Sequence, residues 1–237
     1  MADTLPTIVL VHGAWADGSS WTKVIVALQA KGFAVVAVQI PLTSVDDDVA
    51  ATRRIVDDAK GPVVLVGHSW GGVSVTAVGG DPKVAALVYL SAFAPDVGET
   101  GSSLIAAHPA PPALSTIVTD VSGFVYQTEA GMVQNLAPDL PAAEAKVLAV
   151  TQGRLAGAAF GQTVEAAAWK IKPSWYVITA DDRVVSVELQ TALAERMKAK
   201  ITKIHASHMS LISQPGAVVA AIEAAAAAAV DAHVGVL

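Results

Sequence analysis

The chain has 237 residues, a formal net charge of −6 and no cysteine, and 53% of its residues are hydrophobic while 15% are charged. These values exclude disulfides, thiolate metal sites and a cysteine nucleophile, and the lack of a long basic run argues against nucleic-acid binding. The low charged fraction is typical of a large core whose strands are buried on both faces.

No apolar run is long enough to span a bilayer without a charge or turn residue, so we expect no membrane partner. The start of the chain, Met1 to Pro6, lacks the basic and apolar regions of a signal peptide. This favours a cytoplasmic protein, although a signal removed beforehand would leave the same start. The sequence leaves a monomer and a homodimer open.

The first ninety residues alternate between apolar runs and helical stretches. We predict buried strands at 8–11, 33–38, 63–66 and 85–90, and helices at 19–31, 46–60 and 73–78. Such alternation is the signature of a parallel sheet with helices on both faces.

The alternation stops between residues 96 and 172. This segment contains Pro, Gly and short helical pieces, and we predict no buried strand in it. Strands at 175–179 and 201–205 and helices near 187–198 and from residue 215 then resume the pattern. We therefore predict an α/β core formed by residues 1–95 and 173–237, with a doubly wound, mostly parallel sheet of about six strands. Residues 96–172 form a helical cap inserted in that core.

The segment Gly67-His68-Ser69-Trp70-Gly71 fits G-x-S-x-G and lies between a predicted buried strand and a predicted helix, the context that this motif requires. Such an elbow holds the serine in strained backbone at a helix N-terminus, where an anionic intermediate is favoured. A glycine-rich turn with an incidental serine is the alternative. We take Ser69 as the candidate nucleophile.

A serine needs a base to act as a nucleophile, and proteins with this elbow carry their residues in the order Ser, acid, His. His205 and His208 follow the last predicted strand. His208 lies in the loop beyond the strand and His205 at the strand's end, which favours His208 as the base. We expect the side chain of His68, inside the elbow, to point away from the base position.

The acid should follow the strand at 175–179, where Asp181 and Asp182 both qualify, and Asp96 after the fourth strand is a third candidate. Such an acid would hold the imidazole in the correct tautomer. Spacing does not separate Asp181 from Asp182, and a solvated turn aspartate is the alternative interpretation of either.

An oxyanion would be bound by two backbone N–H groups, from Ala14 after the first strand and from Trp70 after the serine. We assign Trp15 and Trp21 to packing. An apolar pocket under the cap would suit an uncharged ester, and for each lining candidate the alternative is the cap's own core. The candidates from the cap are Phe124, Tyr126, Met132, Leu136, Phe160 and Trp169.

These motifs resemble those of small bacterial α/β-hydrolases related to plant methylesterases and hydroxynitrile lyases. The resemblance runs nearly end to end, and it is carried by residues 9–15, 67–72, 179–184 and 207–209, with a loose match at 139–141. It implies the α/β-hydrolase fold and a reaction without metal or organic cofactor. It also implies that Asp182 is the acid, because Asp182 takes the place of the family aspartate that Val or Ile follows two residues later.

The resemblance also separates two branches of the family. Its hydroxynitrile lyases have threonine after the first-strand histidine and lysine after the catalytic histidine, whereas this chain has Gly13 and Met209 there. Both positions are further pocket candidates, and they favour ester hydrolysis, since Met209 cannot supply a cation for departing cyanide. A lyase and a non-catalytic small-molecule binding protein are the alternatives.

Overall fold

The computed structural model describes residues 5–234, with side chains described for residues 5–230. Within this range the strands are β1 (Thr7–Val11), β2 (Val35–Val38), β3 (Val63–His68), β4 (Val84–Leu90), β5 (Ile117–Thr119), β6 (Phe124–Gln127), β7 (Leu155–Ala156), β8 (Ser174–Thr179) and β9 (Lys200–Ile204). Six of them form the central sheet, in the order β2-β1-β3-β4-β8-β9. All of its neighbouring strands are parallel.

The helices in the same range are α1 (Thr22–Ala30), α2 (Val45–Asp58), α3 (Gly71–Val78), α4 (Gly101–Ala106), α5 (Glu129–Gly131), α6 (Ala142–Thr151), α7 (Val187–Arg196), α8 (Ser210–Ser213) and α9 (Pro215–Val234). Helix α1 packs against α9 and α2 against α3, and both pairs contact the sheet. Strands β1 and β3 are buried along their whole length, so helices cover both faces of the sheet. The doubly wound, parallel sheet predicted from the sequence is confirmed.

The segment from 96 to 172 differs from the prediction in one respect, because it contains strands as well as short helices. Strands β5, β6 and β7 form an antiparallel sheet of their own, and Val125 and Leu155 are buried within it. The expectation of a cap without buried strands was therefore wrong. These strands are two to four residues long, too short to give the apolar run by which the core strands were recognised.

Two findings bear on partners and ligands. No helix in the described part of the chain combines the length and apolar content that a membrane crossing needs. Within the same residues, no three His, Asp or Glu side chains are grouped so that they could hold a metal ion.

Candidate active site

The turn from β3 to α3 holds Ser69 in the left-handed region, at φ 52°. Its backbone N–H donates to the carbonyl of Leu90 at 3.0 Å, and its own carbonyl accepts from the N–H groups of Gly72 and Phe93. A Cβ at Gly72 would lie 2.2 Å from the carbonyl oxygen of Phe93, so no larger residue fits there without displacing backbone. Ser69 therefore occupies the strained elbow that the motif predicts, fixed by neighbouring loops.

His208 and Asp182 form a buried pair beside the elbow. The Nδ1–H of His208 donates to Asp182 Oδ2 at 2.8 Å, and the two side chains are 2% and 0% exposed. This bond leaves Nε2 of His208 without a proton and able to accept one. No hydrogen bond joins Ser69 Oγ to His208 within the described residues.

The carboxylate of Asp182 is held by four further donors. Oδ1 accepts from the backbone N–H groups of Val184 at 2.7 Å and Val185 at 3.1 Å. Oδ2 accepts from the Thr179 hydroxyl at 2.8 Å and from Nε2 of Gln190 at 3.0 Å. A buried carboxylate with this many donors has its hydrogen-bonding capacity met, and its direction towards His208 is fixed.

The alternative acids and base lie on the surface. The Asp181 carboxylate is 3.5 Å from Nδ1 of His205, and these side chains are 60% and 90% exposed. Asp96 binds the ammonium group of Lys170 at 2.6 Å, and this bond lowers the pKa of the Asp96 carboxyl. Of the candidates left open by spacing, the structure brings Asp182 and His208 together in the interior.

His68 differs from the expectation that it would point away from the base. Its ring lies against that of His208, with centroids 4.6 Å apart, and its Nε2–H donates to the backbone carbonyl of His208 at 2.9 Å. Burial, the neighbouring His208 and a smaller effect of His12 lower the pKa of His68 well below its usual value. His68 is therefore a neutral support for the loop that carries His208.

The loop after β1 is fixed by His12. The backbone N–H of Ile40 donates to Nε2 of His12 at 3.1 Å, so the imidazole proton is on Nδ1, which donates to the carbonyl of Gly13. Within the described residues no hydrogen bond occupies the backbone N–H of either Ala14 or Trp70. Both residues line the same cavity as Ser69, as expected for oxyanion donors.

That cavity is a narrow chamber of about 20 Å³, roughly the space that one water molecule needs. A wider apolar groove of about 360 Å³ lies beside it, between the cap elements. The chamber is lined by Ala14, Trp15, Ser69, Trp70, Phe93, Ile105, Ala113, Leu114, Ile117, Phe160 and Val184. Ile105, Leu114, Ile117 and Phe160 border both spaces, so the chamber and the groove are neighbours.

Of the pocket candidates from the cap, Phe160 lines the chamber and the others do not. The ring of Tyr126 carries the guanidinium of Arg154, 4.3 Å from its centroid. The indole N–H of Trp169 donates to the carbonyl of Pro95, and its face packs against Arg196. Phe124 pairs with β7, whereas Met132 and Leu136 are fully buried in the cap. Met132 and Leu136 therefore pack inside the cap, whereas Trp169 packs the cap against the core.

The two pocket candidates from the family contrast are also enclosed by protein. Met209 is 1% exposed, and its backbone N–H donates to the carbonyl of Leu136. A Cβ at Gly13 would lie 2.7 Å from Ser69 Cβ and 3.1 Å from His68 Nδ1. Neither residue faces the chamber. Because Gly13 has no Cβ, it leaves the room that the Ser69 side chain occupies.

The cap is fastened to the loop that carries His208. The carboxylate of Asp139 accepts hydrogen bonds from the backbone N–H and the hydroxyl of Ser207, and from the Ser213 hydroxyl at 2.8 Å. Ser207 directly precedes His208, so a residue of the cap helps to hold the loop that carries His208.

Sequence reasoning missed Gln190 and Asp48, two buried polar side chains next to the site. Gln190 lies on the buried face of α7, between Leu189 and Leu193. Asp48 follows Val45 by three residues and precedes Thr52 by four, so it lies on the buried face of α2. A polar residue on the apolar face of a predicted helix was the signal that could have found both.

Comparison with known proteins gives three findings. A family model described as "Alpha/beta hydrolase family" matches residues 8–222. The chain is similar to "Probable hydrolase R7" of Phoma sp., with 28% identity over 90% of this chain and 94% of that protein. It is also similar to "Alpha-hydroxynitrile lyase" of Arabidopsis thaliana, with 30% identity over 41% and 43% of the two chains.

Among solved structures, polyneuridine aldehyde esterase superposes with a TM-score of 0.80 over 93% of this chain and 99% of its own. The sequence identity is 19%, so this likeness concerns the fold alone.

The tight packing around Gly13 gives a prediction. We expect Gly13→Ala to slow the labelling of Ser69 by a fluorophosphonate about 10²-fold, because the new methyl group displaces the nucleophile. Gly216→Ala is the control, since no atom lies within 4 Å of that added Cβ. Labelling of the Gly13→Ala protein at the wild-type rate would contradict the assigned role of this space.

Proposed function

The chain belongs to the alpha/beta hydrolase family, and from that premise we propose that it hydrolyses carboxylic esters of small, largely apolar substrates. Ser69 is the nucleophile, His208 the general base and Asp182 the acid that orients the base. The alpha/beta hydrolase family and the similarity to "Probable hydrolase R7" support hydrolysis in general.

One observation carries the proposal. The buried bond between His208 and Asp182 lies next to a serine held in strained backbone, and the same serine lines an apolar chamber. A carboxylate fixed against Nδ1 of an imidazole leaves Nε2 as a base, which is the arrangement that activates a serine.

The reaction takes place in two steps. Ser69 Oγ attacks the ester carbonyl as its proton passes to Nε2 of His208, and the resulting imidazolium is stabilised by Asp182. The backbone N–H groups of Ala14 and Trp70 hold the oxyanion. His208 then gives the proton to the departing alcohol, and water hydrolyses the acyl-enzyme by the reverse sequence. The bond between Ser69 and His208 forms in the substrate complex, as such bonds often tighten only there.

The shape of the pocket suits an ester with unequal halves. The chamber around Ser69 has room for little more than the ester carbonyl, and the groove bordered by Leu114 and Phe160 would take the larger apolar part. None of the described residues lining either space carries a charge, so the substrate is uncharged on both sides.

The two alternatives have different requirements. A hydroxynitrile lyase needs a cation for the cyanide, but no Lys or Arg is among the described chamber residues, and Met209 is enclosed. A binding protein without catalysis needs no activated serine.

We expect Ser69→Ala to lower kcat for p-nitrophenyl acetate by about 10⁴-fold or more, because the acyl-enzyme can no longer form. The variant should keep the wild-type circular dichroism spectrum. Residual activity within tenfold of the wild type would overturn the assignment, and failure of a fluorophosphonate to label the wild type would favour the binding protein.

The two Asp–His pairs provide matched variants. Asp182→Asn should lower kcat by about 10⁴-fold, because an asparagine can hold the wrong tautomer of His208. His208→Ala should be about as damaging as loss of the serine. We expect Asp181→Asn and His205→Ala to stay within about twofold of the wild type, since these side chains are exposed. A well-folded, active Asp182→Asn enzyme would refute the assigned role.

Cyanide release separates hydrolysis from lyase activity. With mandelonitrile as substrate we expect no cyanide above the uncatalysed rate, because the chamber offers the leaving group no lysine or arginine. The same preparation should hydrolyse p-nitrophenyl acetate. Enzymatic cyanide release faster than ester hydrolysis would establish the lyase instead.

A further inference from the structure

Asp48 is a buried carboxylate close to the proposed oxyanion hole. It lies in the first turn of α2 and is 1% exposed. Oδ2 accepts from the indole N–H of Trp70 at 2.9 Å, and Oδ1 accepts from the backbone N–H of Leu42 at 2.7 Å. We propose that Asp48 is a positioning residue that holds the oxyanion hole in its active geometry through Trp70. This inference rests on the proposed function.

Stability alone does not account for this carboxylate. No Lys, Arg or His in the described residues forms a salt bridge with Asp48. Burial raises the pKa of its carboxyl to about 6, although the bonds from Trp70 and Leu42 counteract part of that effect. A buried charge without a cation costs folding energy that an apolar residue would not. Its position therefore suggests a functional use.

Trp70 connects Asp48 to the reaction. Its backbone N–H is one of the proposed oxyanion donors, and its ring is part of the chamber wall. The indole packs edge-to-face on Phe93 and Phe160, with centroids 6.2 Å and 5.1 Å away. A Cβ at Gly101 would lie 3.1 Å from the ring. The indole is therefore closely packed and its one polar atom is anchored by Asp48, so these contacts hold in place the residue whose backbone N–H is the proposed donor.

The other carboxylate oxygen of Asp48, Oδ1, holds the loop before α2. Leu42 has a positive φ of 62°, a strained conformation for leucine that the bond to Asp48 helps to maintain. The carbonyl of Leu42 accepts from the N–H of Ala156 in the cap strand β7. Asp48 thus joins three parts of the chain that surround the chamber, namely the elbow, the loop before α2 and the cap.

The proposal makes a specific kinetic prediction. An oxyanion donor acts mainly in the transition state, so misplacing it lowers kcat and leaves KM nearly unchanged. We expect Asp48→Asn to lower kcat for p-nitrophenyl acetate about tenfold to a hundredfold, with KM within about threefold of the wild type. The amide keeps the shape but presents either an N–H group or a weaker acceptor to the Trp70 indole.

A double-variant cycle distinguishes positioning from a general structural effect. Trp70→Phe keeps the backbone N–H and removes the indole N–H, and we expect it to lower kcat as Asp48→Asn does. In the Trp70→Phe background, Asp48→Asn should change kcat less than about twofold, because the contact is already lost. Two independent losses that multiply would overturn the proposal. Asp47→Asn is the matched control, since Asp47 is the exposed neighbour that binds Thr43 and Ser44.

A measurement without turnover tests the contact itself. The chain has five tryptophans, and Trp70→Phe identifies the indole N–H resonance of Trp70 by its disappearance from the ¹⁵N spectrum. Asp48→Asn should shift that resonance, and Asp47→Asn should leave it in place. If Asp48→Asn fails to fold, Trp70→Phe alone decides, because an unchanged kcat in that variant would refute positioning through the indole.

Failure of this inference differs from failure of the proposed function. An active wild type whose kcat is unchanged by Asp48→Asn, even with a lower melting temperature, would make Asp48 a structural residue only. A wild type that neither hydrolyses esters nor reacts with a fluorophosphonate would overturn the proposed function, and the positioning role would fall with it.

Discussion

The left-handed backbone of Ser69 is the constraint on which the site depends. A non-glycine residue adopts this conformation only when its surroundings fix it, and here they do so from several strands of a parallel sheet. The bond to Leu90 comes from the end of β4, and the space that Gly13 leaves open comes from the loop after β1. Because parallel strands end on one edge of the sheet, the loops that carry Asp182 and His208 lie at the same edge as Ser69.

Much of the fold could be predicted from the sequence, for a physical reason. Strands β1, β3, β4 and β8 are buried, so their apolar runs are visible without any structure. The cap strands are short and partly exposed, and they were missed. Aromatic residues such as Tyr126 and Trp169 were pocket candidates, with packing in the cap as the alternative, because the sequence does not tell which way a side chain points. Only the packed structure shows that they face Arg154 and Arg196 instead.

Spacing along the sequence could not distinguish the two adjacent candidate acids. Asp181 and Asp182 are adjacent and chemically identical, and the sequence separates them only through resemblance to relatives. In the structure one is exposed beside His205, whereas the other receives hydrogen bonds from Thr179, Gln190 and two backbone groups. Asp182 is therefore distinguished from Asp181 by hydrogen-bond donors from three segments of the chain. Asp48 was overlooked for a related reason, since an acidic residue at a helix start is usually explained by the helix dipole.

The bond from Asp139 to Ser207 has a consequence for how such a protein can change over evolution or in the laboratory. A cap that merely covered the sheet could be exchanged for another as a self-contained module. Here the cap contributes the Asp139 carboxylate, which binds Ser207, the residue before His208. The cap and the loop that carries His208 are therefore structurally coupled. A chimera with a foreign cap must therefore include a hydrogen-bond partner for Ser207, or the loop that carries His208 must be redesigned at the same time.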